Sequence, residues 1–229
     1  MKRIGILGGT SPESTVTYYR HITHEYTRRF GDHGYPEILI YSVTFQRFID
    51  WMREGDWPAL AGAVVDGLCA LSDAGAELGL IATNTFHRVF DEVAASVPIP
   101  LLSILDVVSD RLGELGSRRA ALLGTKITMS GSFYPDHLAE HGIETVVPTD
   151  AEQEAIDRTI FDELSQGLVT PNSKASVVAI AERLIEAGAD AAILGCTELP
   201  LLLGQGDLSV PVLDTTSLHA DAALEAVIA

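Results

Sequence analysis

The sequence predicts an α/β protein made of two similar lobes, each a mostly parallel sheet flanked by helices. Short β-rich segments alternate with longer amphipathic segments, which is typical of repeated βαβ units. The two halves of the chain also resemble each other in three places, and the matches occur in the same order in both halves. At 229 residues, 47% of them hydrophobic, the chain is long enough to bury a sizeable core, as one large domain or as two small lobes.

The first half of the chain shows the βαβ pattern most clearly. The apolar segments RIGILGG, EILIYSV and LGLIATN are predicted to be strands, and the stretches SPESTVTYYRHITHEYTRRF and ALAGAVVDGLCALSDAG are predicted to be helices. Ser11 lies where the first helix would be capped, Pro12 follows at its first position, and Glu13 lies in its first turn. The free N–H groups of that helix could bind a carboxylate.

The internal repeat divides the chain into its predicted lobes. The matches pair Arg3–Gly8 with Arg119–Gly124, Ala74–Glu77 with Ala187–Asp190, and Pro100–Ser103 with Pro211–Asp214. The second match sets Thr83 opposite Cys196, and both follow predicted strands, at the sheet edge where open parallel sheets bind ligands. We expect one lobe from residues 1–95 and 209–229, another from residues 96–208, and an active site in the cleft between them.

Charge and hydropathy exclude several classes of partner. The net charge is −17, with 32 acidic against 15 basic residues, so the overall field repels nucleic acid and anionic membranes. No apolar run approaches the roughly 20 residues of a membrane span, and the N-terminus lacks a signal-peptide pattern, so we expect a cytoplasmic protein. An anionic substrate would need local donors, which helix N-termini and backbone N–H groups can supply.

The two cysteines are predicted to have different roles. Cys196 lies in ILGCTELP, after an apolar strand and before a polar turn that could open a helix, where nearby donors would lower the pKa of a thiol toward neutrality. A small buried side chain at a strand end is the other interpretation, but the repeat and the adjacent Thr197 and Glu198 favour a functional role. Cys69 lies within an apolar helical pattern and is predicted to pack in a helix core.

Several other chemistries find little support in the sequence. The segment GGTSPEST lacks the spacing of a phosphate-binding loop, and no serine occurs in a G-x-S-x-G context. The seven histidines form no metal-binding motif, so we expect no metal, and His87 and His219 are candidates only for lining a site. The segment GTKITMSGSFY could offer hydroxyl groups to a carboxylate or an amine, or form a solvated loop.

Four segments together carry a family resemblance: ATNTFH, LGCTELP, GILGGTSPEST and GTKITMSGSFY. With them, the chain resembles the aspartate/glutamate racemases, including the broad-specificity amino-acid racemases, over essentially its whole length. In that family the first motif usually reads C-N-T and the second G-C-T, and each cysteine serves one face of the substrate α-carbon. Here the first motif begins with Thr83, so the resemblance implies a racemase with Cys196 as its surviving thiol.

The resemblance implies further roles, which we state as expectations. It implies substrate-binding roles for Thr10, Asn84, Thr85, Thr125, Thr128 and Thr197, and a role in tuning Cys196 for Glu198 and His219. It also implies an amino-acid substrate such as aspartate or glutamate, no cofactor, and a homodimer. Because a hydroxyl carries protons poorly, Thr83 predicts slow or directionally biased turnover. The alternatives are a one-cysteine carbanion enzyme such as a malonate-type decarboxylase, and a degenerate amino-acid-binding protein.

Overall fold

The computed structural model describes residues 1–228, which fold as two compact units. The first unit contains Met1–Ser103 and the final segment from His219, and the second contains Ile104–Leu218. The sequence-based limits near residues 95 and 209 therefore differ from the observed ones by about ten residues. The difference arises because each unit keeps a fourth strand that pairs with its own sheet.

The first unit is built on a four-stranded parallel sheet. Its strands are β1 (Ile4–Gly8), β2 (Ile38–Ser42), β3 (Leu78–Ile81) and β4 (Leu101–Leu102), in the order β2-β1-β3-β4. Its helices are α1 (Pro12–Phe30), α2 (Phe45–Glu54), α3 (Trp57–Asp73) and α4 (Phe90–Ala94), with a 3₁₀ turn at Thr85–Val89. Every residue of β1 is buried, as expected of a central parallel strand covered on both faces.

Helices cover both faces of the first sheet. On one face, α1 and the last helix, α10 (Thr215–Ile228), pack against alternate strand residues; this core includes Ile4, Ile6, Tyr18, Ile22, Leu80, Ala220 and Leu224. On the other face, α3 supplies most of the helical contacts; this core includes Leu7, Leu60, Val64, Leu68, Ile81 and Phe86. Cys69 lies in α3 but is only partly buried, so its predicted place in the helix core is wrong.

The second unit has the same sheet topology as the first. Its strands are β5 (Arg119–Gly124), β6 (Glu144–Val146), β7 (Ala191–Gly195) and β8 (Val212–Asp214), all parallel and in the order β6-β5-β7-β8. Its helices are α5 (Ile104–Leu115), α6 (Lys126–Ser130), α7 (Phe133–Glu140), α8 (Asp150–Arg158) and α9 (Pro171–Glu186), followed by the start of α10. Shorter turns lie at Thr159–Glu163, Leu164–Gln166 and Leu199–Leu201.

The internal repeat seen in the sequence is a structural repeat. Equivalent strands occupy equivalent places in the two sheets, and the matched glycines Gly75 and Gly188 have φ angles of 99° and 102°, which favour glycine. In each unit, the side chain of an arginine at the start of the central strand lies beside the matched glycine. The backbone N–H of that arginine donates to a nearby carboxylate. These groups are Arg3, Gly75 and Glu77 in the first unit and Arg119, Gly188 and Asp190 in the second.

None of the helices within residues 1–228 combines the length and the apolar character needed to cross a membrane.

Candidate active site

The carboxyl edge of the first sheet presents Thr83 just after β3. The Thr83 N–H donates to the carbonyl of Ile81 at 2.8 Å. Its own carbonyl accepts from Nδ1 of His87 at 2.9 Å, so this ring nitrogen carries the proton. Two bonds therefore fix the Thr83 backbone, while its side chain stays partly exposed. Asn84 and Thr85, which open the following 3₁₀ turn, are buried.

The turn between β1 and α1 lies at the same edge of this sheet. The Thr10 hydroxyl donates to the carbonyl of Ala82 at 3.4 Å, which connects this turn to the one after β3. Gly9 adopts a φ of 90° and donates its N–H to the Thr15 hydroxyl at 2.8 Å. Ser11 caps α1 with Pro12 at the first helical position, so the predicted helix start is confirmed.

His219 belongs to a buried hydrogen-bonded chain in the first unit. Its Nε2 donates to the carbonyl of Leu102 at 3.0 Å, so its Nδ1 must accept from the Tyr18 hydroxyl, 2.8 Å away. Burial lowers the pKa of His219 to about 4, so the ring is neutral at physiological pH. The His87 ring lies 6.0 Å from it, centroid to centroid, in an edge-on arrangement. Tyr18 carries no sequence signal that links it to His219, and sequence reasoning missed it.

Cys196 occupies the carboxyl edge of the second sheet, as the first residue after β7. Its Sγ donates to Oε2 of Glu198 at 3.0 Å, and the Thr197 hydroxyl donates to the same oxygen at 2.6 Å. Cys196 and Glu198 are both buried. The second motif thus folds into a local network in which one carboxylate oxygen accepts from a thiol and a hydroxyl.

The Cys196 thiol has a pKa well above its ordinary value. Burial is the largest cause, and the negative charge and the hydrogen bond of Glu198 add to it. The backbone N–H groups of Glu198 and Leu199 act in the opposite direction but are outweighed. The sequence-based expectation of a pKa lowered toward neutrality is therefore wrong for this state, because it neglected desolvation and the carboxylate. Cys196 is a neutral thiol at physiological pH.

Two buried polar atoms near this sheet edge lack a partner within residues 1–228. They are Oε1 of Glu198, after β7, and the hydroxyl of Thr216, which follows the neighbouring strand β8. A buried polar group without a hydrogen bond costs about 1–3 kcal/mol, so both atoms favour a ligand that supplies the missing bonds. The carboxylate oxygen requires a donor, such as an ammonium group. Sequence reasoning missed Thr216, which lies among other polar residues at the start of α10 and belongs to no motif that would single it out.

The two threonines after β5, Thr125 and Thr128, are candidate substrate-binding residues that also hydrogen-bond to each other. Thr125 caps α6 by accepting from the backbone N–H of Thr128 at 3.3 Å, and the two hydroxyl oxygens are 3.0 Å apart. Thr128 is fully buried. The backbone N–H of Lys126 donates to Asp157, and its ammonium group pairs with Glu154 at 3.0 Å. Both partners of this lysine therefore lie in α8.

No group of three or more His, Cys, Asp or Glu side chains within residues 1–228 is arranged as a set of metal ligands.

Comparisons with known proteins find similar sequences and structures over nearly the whole chain. The family model for Asp/Glu/Hydantoin racemases matches residues 7–223. The broad-specificity amino-acid racemase RacX of Bacillus subtilis (strain 168) is 26% identical over 223 residues, which cover 95% of this chain and 94% of that protein. The crystal structure of a putative Asp/Glu racemase from Yersinia pestis is 37% identical, with a TM-score of 0.93 and full coverage of both chains. An aspartate racemase homologue from Pyrococcus horikoshii OT3 is 42% identical, with a TM-score of 0.87 and full coverage of both chains.

Proposed function

This chain belongs to the Asp/Glu/hydantoin racemase family, and we propose that it is a cofactor-independent amino-acid racemase in which Cys196 exchanges the α-proton. The observation that carries the proposal is the buried thiol of Cys196, hydrogen-bonded to Glu198 where β7 ends. A carbon acid next to a carboxylate is weakly acidic, so its deprotonation needs a base that is positioned and desolvated. A thiol buried at a strand end, once deprotonated, meets that requirement.

The substrate's ammonium group is proposed to activate Cys196. The Glu198 charge raises the pKa of the thiol, and Oε1 of the same carboxylate has no partner. An ammonium group that donates to Oε1 would offset that charge and favour the thiolate. The thiol proton then leaves to water while Glu198 stays ionised, and the Cys196 thiolate accepts the α-proton of the substrate. Substrate binding and base activation would thus be coupled through one side chain.

Thr83 is proposed to stand where relatives of the family carry their second cysteine. A racemase must return a proton to the opposite face of the carbanion, and a hydroxyl is a poor acid for that step. The reaction therefore requires a proton from Thr83 or from water beside it. We expect turnover to be slow or biased toward one direction, and the labelling experiment below measures this bias directly.

The remaining candidate residues are proposed to hold the amino acid. They are mostly neutral hydrogen-bonding groups, which suits a chain of net charge −17 that must bind a carboxylate without repelling it. The proposed substrate-binding residues are Thr10, Asn84, Thr85, Thr125, Thr128, Thr197 and Glu198, and His219, whose ring nitrogens bond Leu102 and Tyr18, is proposed to hold the surrounding backbone in place. The names of the relatives make aspartate, glutamate and other small amino acids the first substrates to test. The protein is also proposed to act as a homodimer in the cytoplasm.

One observation favours a second candidate function. Because the Cys196 thiol is protonated at physiological pH, it is better prepared to donate a proton than to accept one. A malonate-type decarboxylase needs only such a donor after carbon dioxide leaves, and Thr83 would then need no acid–base role. The alternative predicts that substituted malonates lose carbon dioxide at a rate that depends on Cys196.

Proton exchange in heavy water distinguishes these functions. The protein is incubated with single L- and D-amino acids, and α-deuteration and the enantiomeric ratio are followed by NMR and chiral chromatography. The racemase proposal predicts deuteration with inversion. Carbon dioxide release from substituted malonates without amino-acid exchange would support the decarboxylase. Amino-acid binding by calorimetry, with neither exchange nor carbon dioxide release, would mean that the chain is an amino-acid-binding protein, and would contradict both catalytic proposals.

A further inference from the structure

Thr216 follows strand β8 at the same level at which Cys196 follows strand β7. The two strands are neighbours, and their register pairs Leu194 with Asp214. Thr215 continues this alignment, because its hydroxyl donates to the carbonyl of Leu194 at 2.8 Å. Cys196 and Thr216 each come two residues after that pair, and adjacent strands lie about 4.8 Å apart. Thr216 therefore lies beside the candidate catalytic motif, at the carboxyl edge of the second sheet.

The hydroxyl of Thr216 is buried without a partner, although the turn around it is fully bonded. Thr216 is 1% exposed. Its backbone N–H donates to Oδ1 of Asp214 at 3.0 Å, and the same oxygen accepts from the N–H of Ser217 at 3.2 Å. The hydroxyls of Thr215 and Ser217 also have partners, at 2.8 Å and 2.6 Å. The start of α10 is thus capped without using the Thr216 hydroxyl, which is left to bond a ligand.

The charges around this turn favour a positively charged ligand. Glu198 and Asp214 place two carboxylates at the ends of neighbouring strands. Glu198 accepts from a thiol and a hydroxyl, and Asp214 accepts from backbone N–H groups and a hydroxyl, so the donors are neutral. The two lysines of this unit, Lys126 and Lys174, pair with other carboxylates. Two carboxylates bonded only to neutral donors attract a cation and repel an anion.

We propose that the Thr216 hydroxyl, together with Oε1 of Glu198, forms a subsite for the α-ammonium group of an amino acid. This subsite rests on the amino-acid substrate proposed above and adds a residue to its binding. An ammonium group carries three N–H donors, so one can donate to the carboxylate oxygen and another to the hydroxyl oxygen. Both orphaned atoms then gain a partner. Thr216 thereby determines specificity, because it distinguishes an amino acid from the same acid without its ammonium group.

Calorimetric binding to Thr216→Val tests the subsite. Valine keeps the shape of the side chain and removes its hydroxyl. The probes are L-aspartate, L-glutamate and L-alanine, each compared with the acid that lacks the ammonium group, which is succinate, glutarate or propionate. Loss of a hydrogen bond to a charged group should weaken amino-acid binding by about tenfold or more and leave binding of the acids unchanged. Thr216→Ser keeps a hydroxyl and should bind the amino acids nearly as the parent does.

Thermal unfolding of the free protein tests whether the hydroxyl lacks a partner. Thr216→Val removes a buried, unbonded polar group, so the unfolding midpoint should rise by about 2–4 °C. Thr215→Val breaks the bond to the Leu194 carbonyl and should lower the midpoint. Thr145→Val is the matched control, because the Thr145 hydroxyl, on β6, is also buried without a partner within residues 1–228. This control should gain stability and keep the parental affinity for amino acids.

The outcomes separate this subsite from the proposed reaction. A Thr216→Val protein that binds the amino acids as the parent does, that loses the acids equally, or whose midpoint falls as that of Thr215→Val does, would overturn the proposal. So would a parent that binds none of the three amino acids, or binds them no more tightly than the acids. Binding that depends on Thr216 without α-proton exchange would support the subsite and contradict the racemase. Exchange with parental affinity in Thr216→Val would do the reverse.

Discussion

The Sγ atom of Cys196 donates a hydrogen bond to Oε2 of Glu198 across 3.0 Å, and this contact adds to the effect of burial in keeping the candidate catalytic thiol protonated. The carboxylate acts twice, through its charge and through its bond, and both effects raise the pKa of Cys196. The other oxygen of the same carboxylate is buried without a partner. Glu198 thus links the protonation of the thiol to the oxygen at which the ammonium group of the substrate is proposed to bind.

Glu198→Gln is predicted to lower the pKa of Cys196. The substitution removes the negative charge and keeps the shape of the side chain, so the thiolate becomes less unfavourable. The measurement is the pH dependence of thiol alkylation in a Cys69→Ala background, where Cys196 is the one remaining cysteine. Exchange activity should fall nonetheless, because a neutral amide offers no opposite charge to the ammonium group of the substrate. An unchanged or raised alkylation midpoint would show that Glu198 does not control the thiol.

His219 is predicted to make stability depend on pH. The pKa of His219 is about 4 in the folded protein and 6.5 when the side chain is exposed in the unfolded chain, so the unfolded chain binds the proton more readily. The contribution is fully present above pH 6.5 and is lost as pH falls toward 4, by about 3 kcal/mol in the free energy of unfolding. Urea denaturation between these pH values should show a flatter profile for His219→Gln. His24→Gln, at an exposed position of α1, is the control and should retain the parental slope.

Thr83→Cys is predicted to make the rates of the two directions of racemisation more nearly equal. The change in volume is small, so the fold should tolerate it. A thiol there would supply the missing acid, and the slower direction should accelerate by about tenfold or more. The ratio of deuterium incorporation from L- and D-substrates measures this. Thr83→Ser keeps a hydroxyl and should preserve the parental ratio. If the cysteine variant also preserves it, Thr83 does not face the α-carbon.

The sequence predicted features that repeat or follow local rules. The cap at Ser11 with Pro12 behind it follows from helix chemistry, and the match of Arg3–Gly8 with Arg119–Gly124 anticipated two sheets of equal topology. The bond between Tyr18 and His219 joins residues 201 positions apart, which no local pattern reveals. The pKa of Cys196 was predicted in the wrong direction, because it depends on burial and on the conformation of one carboxylate rather than on residue type alone.

The central claim is that Cys196 exchanges the α-proton of an amino acid, and Cys196→Ser tests it most directly. A hydroxyl in this setting does not replace the thiol as acid or base, so α-deuteration in heavy water should fall by roughly 100-fold or more, while circular dichroism remains that of the parent. Cys69→Ala, in which the partly buried thiol of α3 is removed, should exchange at nearly the parental rate. Exchange by Cys196→Ser at the parental rate would contradict the account.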